Sequence, residues 1–159
     1  MEPVPITHAE SVVVDAPRQR VYDVVSDVTR TGEWSPVCQE CWWDDGDGPR
    51  VGAHFTGRNV LPDRTWETRS QVTAAEPGRR FAWSVGPGLV EWGYVLEPAG
   101  PADAATRLTE TWEFTVAGQA FFRERYGAEA DSEIALRTRL AHEGIPVTLA
   151  ALKRVVESG

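Results

Sequence analysis

The chain is predicted to be an α+β protein, an antiparallel sheet of about seven strands with a long helix at its C-terminal end. Three features point to it. Between residues 38 and 114 apolar and polar side chains alternate with the strand period of two, and Gly, Pro and Asp clusters interrupt them without any helical stretch. Two short helical segments precede that region. After Gly118 the spacing becomes helical, with charges gathered on one side.

Taken in order, "THAESVVVDAP" is a β-branched strand running into a helix, with Asp15 as an acidic cap and Pro17 in the first turn. In "PRQRVYDVVSDV", Val21, Val24, Val25 and Val28 recur at helical spacing, and Gly32 and Pro36 end that connector. "QECWWDDGDGPRVGAHFTGRNVL" then reads as strand, acidic turn and strand, a hairpin. "TWETRSQVTAAEPG", "RRFAWSVG", "LVEWGYVLEPAGPADAA" and "TRLTETWEF" continue as an antiparallel meander. "AGQAFFRERYGAEA" suits either a short amphipathic turn or a mobile lid carrying Phe121, Phe122 and Tyr126. In the last segment Gly144 and Pro146 are expected to kink or restart the helix, leaving Val147, Leu149, Ala150, Leu152, Val155 and Val156 to face the sheet.

A length of 159 residues suits one domain, residues 1–159, with a real hydrophobic core. The net charge of −8 repels phosphate backbones and anionic headgroups, so nucleic acid and membrane surfaces are not expected partners. No apolar run approaches the ~20 residues that cross a bilayer, and "MEPVPITHAE" lacks the regions of a signal peptide, so a cytoplasmic location is expected. Seven tryptophans are the compositional excess, and six of them fall in predicted strands. So many indoles either fill a bulky core or line a chamber for a flat apolar ligand.

One residue breaks the pattern. In "LTETWEF", Glu110 shares its parity with Leu108, Trp112 and Phe114, so the buried face takes a carboxylate with it.

The element order, with the strings "GEWSP", "VGAHFTGRN", "WETRSQVTAAEPGRRFAWSV" and "WGYVLEP…TRLTETWEF", resembles the SRPBCC superfamily over nearly the whole chain, in particular its bacterial polyketide cyclase/dehydrase-like branch related to START lipid-transfer domains. That resemblance implies the helix-grip fold: a strongly curved sheet gripping the last helix around an internal cavity. It also implies a hydrophobic small-molecule ligand and no cofactor. The superfamily includes aromatic polyketide cyclases, lipid and hormone binders, and self-resistance proteins of antibiotic producers, so the fold leaves the activity open.

With the apolar parity taken as concave, the ligand-lining candidates are Phe55, Gly57, Trp66, Thr68, Ser70, Phe81, Trp83, Trp92, Leu108 and Trp112. Gly57 either leaves space beside Phe55 or marks a bulge. Asn59, Thr68, Ser70, Tyr94 and Glu110 are the convergent polar groups. Glu110 either accepts hydrogen bonds from Ser70, Thr68 or Asn59 in a satisfied interior network, or acts as general acid or base with Tyr94 and Asn59 polarising a carbonyl, as an aldol cyclisation requires. Arg58, Arg64, Arg69, Arg79 and Arg80 are expected on the convex face.

Cys38 and Cys41 form a C-x-x-C, which invites a redox or a metal reading, both weakly carried: two cysteines supply at most half of a structural zinc site, and His8, His54 and His142 lack ligand spacing. No metal is expected. Residues three apart on a strand face opposite sides, so the two sulfurs meet only if a turn or bulge intervenes; otherwise they are reduced thiols, one lining the pocket. The readings that emerge are a cytoplasmic binder of an aromatic or polycyclic molecule, lipid or polyketide-like, acting as a monomer or weak homodimer; a cofactor-independent polyketide cyclase or dehydratase; or a sequestration protein for a natural product.

Overall fold

The computed structural model describes residues 2–46 and 48–159; Met1 and Asp47, the latter in the acidic turn expected after Trp43, lie outside them. Strand β1 (Ile6–Val14) leads into helix α1 (Arg18–Val25) and a 3-10 turn over Val28–Glu33. Strands β2 (Cys38–Trp43), β3 (His54–Leu61), β4 (Arg64–Glu76), β5 (Arg80–Val85), β6 (Val90–Pro98) and β7 (Thr106–Phe114) follow, and helices α2 (Val116–Tyr126) and α3 (Ala130–Ser158) complete the order. Among the described residues the strands form one antiparallel sheet in the order β1-β7-β6-β5-β4-β3-β2. The first and last strands of the sequence are therefore neighbours, and β1 and β2 are the two edges, with the Val28–Glu33 turn packed against β2. This is the helix-grip architecture.

Period-two patterning settles the faces as expected. Phe55, Val72, Phe81, Tyr94, Leu96, Leu108, Trp112 and Phe114 all point inward and are buried. The outer face shows what curvature demands. A twisted sheet is a saddle, pinched along one diagonal of its outer side, and the in-register row Ala9, Thr111, Gly93 and Ala82 puts small side chains there. A Cβ at Gly93 would already stand 3.0 Å from Thr111 Oγ1 and 3.4 Å from the Ala82 Cβ.

Helix α1 buries Val21, Tyr22, Val24 and Val25. Its N-cap is Pro17, without a side-chain cap, and Asp15 does not play that part. The Asp15 backbone N–H instead donates to Glu157 of α3, 2.7 Å away, which ties the end of β1 to the end of the last helix.

Helix α3 corrects a second expectation, because it runs unbroken through Gly144 and Pro146. Pro146 removes one hydrogen-bond donor and leaves the His142 carbonyl without its i+4 partner. Both residues lie on the exposed side, where water can satisfy that carbonyl. Continuity sets the phase of the whole helix. Ile145, Leu149, Leu152 and Val156 fall on the buried stripe, whereas Val147 is 52% exposed and Ala150 is exposed too, so neither faces the sheet.

The ambiguous segment before α3 is a true helix. Thr115 caps α2 by accepting from the Gly118 N–H at 2.8 Å, while its hydroxyl reaches the Gly88 and Leu89 carbonyls at 2.7 and 3.0 Å. Gly118 lets α2 rest on the β5–β6 turn, since a Cβ there would fall inside the van der Waals shell of the Leu89 carbonyl oxygen. Gly118→Ala should therefore lose about 1–3 kcal/mol of stability in urea unfolding, through overpacking of an otherwise favourable helix residue. An unchanged midpoint would show that α2 sits away from that turn in solution.

Candidate functional site: an aromatic cavity under the last helix

Between the inner face of the sheet and α3 lies a cavity of about 590 Å³. The sheet side is a continuous aromatic wall. Phe55 meets Trp83 edge-on at 6.1 Å, Trp83 stacks on Trp92 at 6.2 Å with 10° between planes, and Trp92 leads to Trp112 at 6.5 Å. Trp66, Trp83 and Trp92 point inward yet remain only half-buried, because their rings border the cavity instead of packed atoms.

All but one of the side chains expected from strand parity come together here: Phe55, Gly57, Asn59, Trp66, Thr68, Ser70, Phe81, Trp83, Trp92, Tyr94, Glu110 and Trp112. Leu108 is the exception. It is fully buried in the hydrophobic core and does not line the cavity. Arg64 departs in the other direction. It shares the parity of Trp66, so it turns inward instead of lying on the convex face, and it pairs with Glu133 of α3 at 3.0 Å. Arg58, Arg69, Arg79 and Arg80 are exposed as expected.

Sequence reasoning did not find the helical wall. Arg137, Ala141, Ile145 and Thr148 of α3 line the cavity at helical spacing, and Leu89 closes it from the β5–β6 turn. The 3.6-residue stripe was visible, but nothing along it separates a residue that touches packed core from one that touches a void. Arg137 has a particular part. Its guanidinium lies 5.0 Å over the Trp66 ring and 5.4 Å over Phe122, and it donates to Glu133 at 3.3 Å, so one carboxylate holds two arginines at this end of the cavity. Phe121, 45% exposed, and Arg125 border the cavity from α2 and mark its opening.

The polar groups form two sets. Asn59 Nδ2 donates to Thr68 Oγ1 at 3.2 Å and to the Trp66 carbonyl at 3.4 Å, a pair that is satisfied within the sheet. Glu110 is not part of it. The carboxylate is 4% exposed, and its Oε1 is buried with no hydrogen-bond partner among the described residues. The satisfied network through Ser70, Thr68 or Asn59 is therefore not what the interior contains.

Burial pushes the Glu110 carboxyl well above its ordinary 4.5, and the Glu10 carboxylate directly across on β1 pushes the same way. Tyr94, paired with Glu110 across β6 and β7, is raised as well, by burial first and then by Glu110, against a smaller pull from the Trp34 indole. Burial and the Glu10 carboxylate both shift Glu110 towards its protonated form, a hydrogen-bond donor facing an apolar chamber.

Gly57 has a different explanation from the two expected. Its pairing with β4 is regular, with Gly57 opposite Thr68, so no bulge lies there. The bulge is in β2, where the register slips between Cys38 and Glu40, and it brings the two cysteine sulfurs to 3.3 Å. A Cβ on Gly57 would stand 3.0 Å and 3.2 Å from them. Among the described residues, no three His, Cys, Asp or Glu side chains gather as a metal site requires, and no helix is long and apolar enough to cross a membrane.

A curved antiparallel sheet closed by a C-terminal helix over an aromatic cavity defines a helix-grip protein of the START and polyketide cyclase superfamily. The chain belongs to the family described as polyketide cyclase / dehydrase and lipid transport, which matches residues 5–157. It is 54% identical to the polyketide cyclase-like protein Cgl2372 of Corynebacterium glutamicum, covering 98% of this chain and 94% of that one at a TM-score of 0.70. The fold alone is shared with a START superfamily protein of Mycobacterium smegmatis (16% identity, 96% and 97% covered, TM-score 0.67) and with the ZhuI aromatase/cyclase of a Streptomyces species (16%, 96% and 94%, TM-score 0.69). A comparison with curated proteins finds no significant match.

The buried carboxyl makes a testable statement about stability. A folded pKa above the unfolded one means that the folded state holds its proton more tightly, so stability is full below the unfolded value and is lost as pH rises through the folded one. Wild-type protein should weaken by up to about 1.4 kcal/mol per pH unit as pH climbs from near 4.5 towards that raised pKa, and Glu110→Gln should not. Urea unfolding across pH 4 to 9 measures the difference. A constant gap between the two proteins would mean that Glu110 titrates normally.

Proposed function

We propose that the chain, acting as one unit over residues 1–159, binds a hydrophobic aromatic or polycyclic molecule of lipid or polyketide type in the cavity beneath α3. The observation that carries the reading is the buried Glu110 Oε1, which lacks a protein partner and stands in an indole-lined chamber. A ligand with one carbonyl or hydroxyl on an apolar frame supplies the missing hydrogen bond while burying its rings against Trp83, Trp92 and Trp112. Asn59, already bonded to Thr68, shapes the wall more than it orients the ligand.

Tryptophan fluorescence titrated with fatty acids, sterols, flavonoids and aromatic polyketides tests this. Saturable quenching by one class is expected, with affinity falling at least about tenfold in Trp92→Ala. No response from any class, with the indoles shielded from an aqueous quencher, would mean a closed aromatic core.

The protonated Glu110 beside Tyr94 favours a second reading, cofactor-independent cyclisation of a poly-ketone. The acid would donate its proton to the carbonyl oxygen that becomes the aldol hydroxyl as the enol carbon of the same poly-ketone attacks the carbonyl carbon. The Glu110 carboxylate would take up the proton that the enol hydroxyl releases, with the Tyr94 phenol polarising the same region. Glu110→Gln separates the two readings. An enzyme should lose about 100-fold or more in turnover of a poly-ketone substrate while retaining affinity within a few fold, whereas a binder shows changed affinity and turns over substrate in neither form.

A further inference from the structure

Cys38 and Cys41 are the only cysteines of the chain, and the fold spends two local features on bringing them together. On a regular strand they would face opposite sides of the sheet. In β2 the pairing runs Cys38 with Asn59 and then Glu40 with Arg58, so Gln39 is an extra residue and its bulge returns Cys38 to the face of Cys41. Opposite Cys41 stands Gly57, the one residue type that leaves room for both sulfurs. The result is a sulfur–sulfur distance of 3.3 Å, with both residues bordering the cavity.

We propose that Cys38 and Cys41 form a redox-active dithiol in the cavity wall, one that closes to an intramolecular disulfide by exchange with a low-molecular-weight disulfide. Either sulfur can open the exchange: Cys38 is the more exposed of the two, whereas Cys41 is buried and hydrogen bonds from Cys38 and Thr31 ease loss of its proton. One thiolate of the pair attacks one sulfur of R–S–S–R, forming a mixed disulfide and expelling RS⁻, which takes up the proton that this thiol released. The second cysteine sulfur then attacks the first, expelling the second RS⁻ and passing its own proton to it. Two protein thiols are oxidised to cystine and one small disulfide is reduced to two RSH. β2 is an edge strand whose one strand partner is β3, so it can make the approach to bonding distance without parting from a second strand, although the Val28–Glu33 turn packs against it and the Ser35 hydroxyl accepts from the Cys38 N–H at 2.9 Å. The exchange is independent of which ligand the cavity takes.

The test is reduced full-length protein incubated anaerobically with oxidised glutathione and read by intact mass and thiol titration. The expected product is one species lighter by two hydrogens, without bound glutathione or titratable thiol. Cys38→Ser and Cys41→Ser should each stop at a mixed disulfide on the remaining cysteine. Circular dichroism confirms that both variants fold. Wild-type protein that retains both thiols, or that accumulates glutathione adducts without closing, while the urea-unfolded chain oxidises fully, overturns the proposal.

Discussion

The structure depends on how α3 is held, because the helix is fastened at two places by different forces and bridges empty space between them. Its C-terminal half is bound by burial. Leu149, Leu152 and Val156 sit at 3% exposure or less in the same hydrophobic cluster as Val14, Phe81 and Leu108. Its N-terminal half adds directional contacts to the burial of Ala130, Ile134 and Ala141: Glu133 takes hydrogen bonds from Arg64 and Arg137, and Arg137 lies over Trp66 and Phe122. Hydrophobic burial draws surfaces together until no void remains, whereas a salt-bridged strut fixes a separation. A helix whose burial is joined by such a strut at one end keeps a chamber open in the middle.

What the chamber costs is visible at Glu110. A buried polar atom without a partner is expensive, and a carboxylate more so, which is why the group is driven towards its neutral form. Replacing it with an apolar residue of similar size would relieve both the burial and the repulsion from Glu10. A folding argument alone gives no reason for Glu at this position. The proposed binding would give one, since an acid driven towards its protonated form offers one strong donor to a ligand acceptor and disfavours guests that lack one.

The strand faces were legible in the sequence because a period of two leaves little freedom: once Phe55, Trp66, Phe81, Trp92 and Leu108 are placed inward, their neighbours at even spacing follow. Arg64 was misplaced only because its charge outweighed its parity. Other features were hidden for physical reasons. Parity tells which face a side chain takes but not how far along the strand the helix covers it, so Leu108 looked like a lining residue. Pro146 carried its usual helix-breaking meaning, which lapses where the freed carbonyl meets water. The β2 bulge arises from pairing with β3, and no local pattern in "CQECWW" announces it.

Strand β7 shows how sharply the two regimes meet. Leu108 is fully buried in the core, Glu110 and Trp112 line the cavity, and Phe114 is fully buried again against Phe122 of α2. Each step is two residues, ~7 Å along a strand, so the chamber is about two side chains long on this strand and is sealed by packed residues on both sides. Glu110 stands at one end of that stretch, beside the fully packed Leu108. On the proposed binding reading, a polar group open to solvent would hydrogen-bond to water as readily as to a ligand and discriminate little. A buried one meets only what the aromatic wall admits, so that an unfavourable burial would serve selectivity.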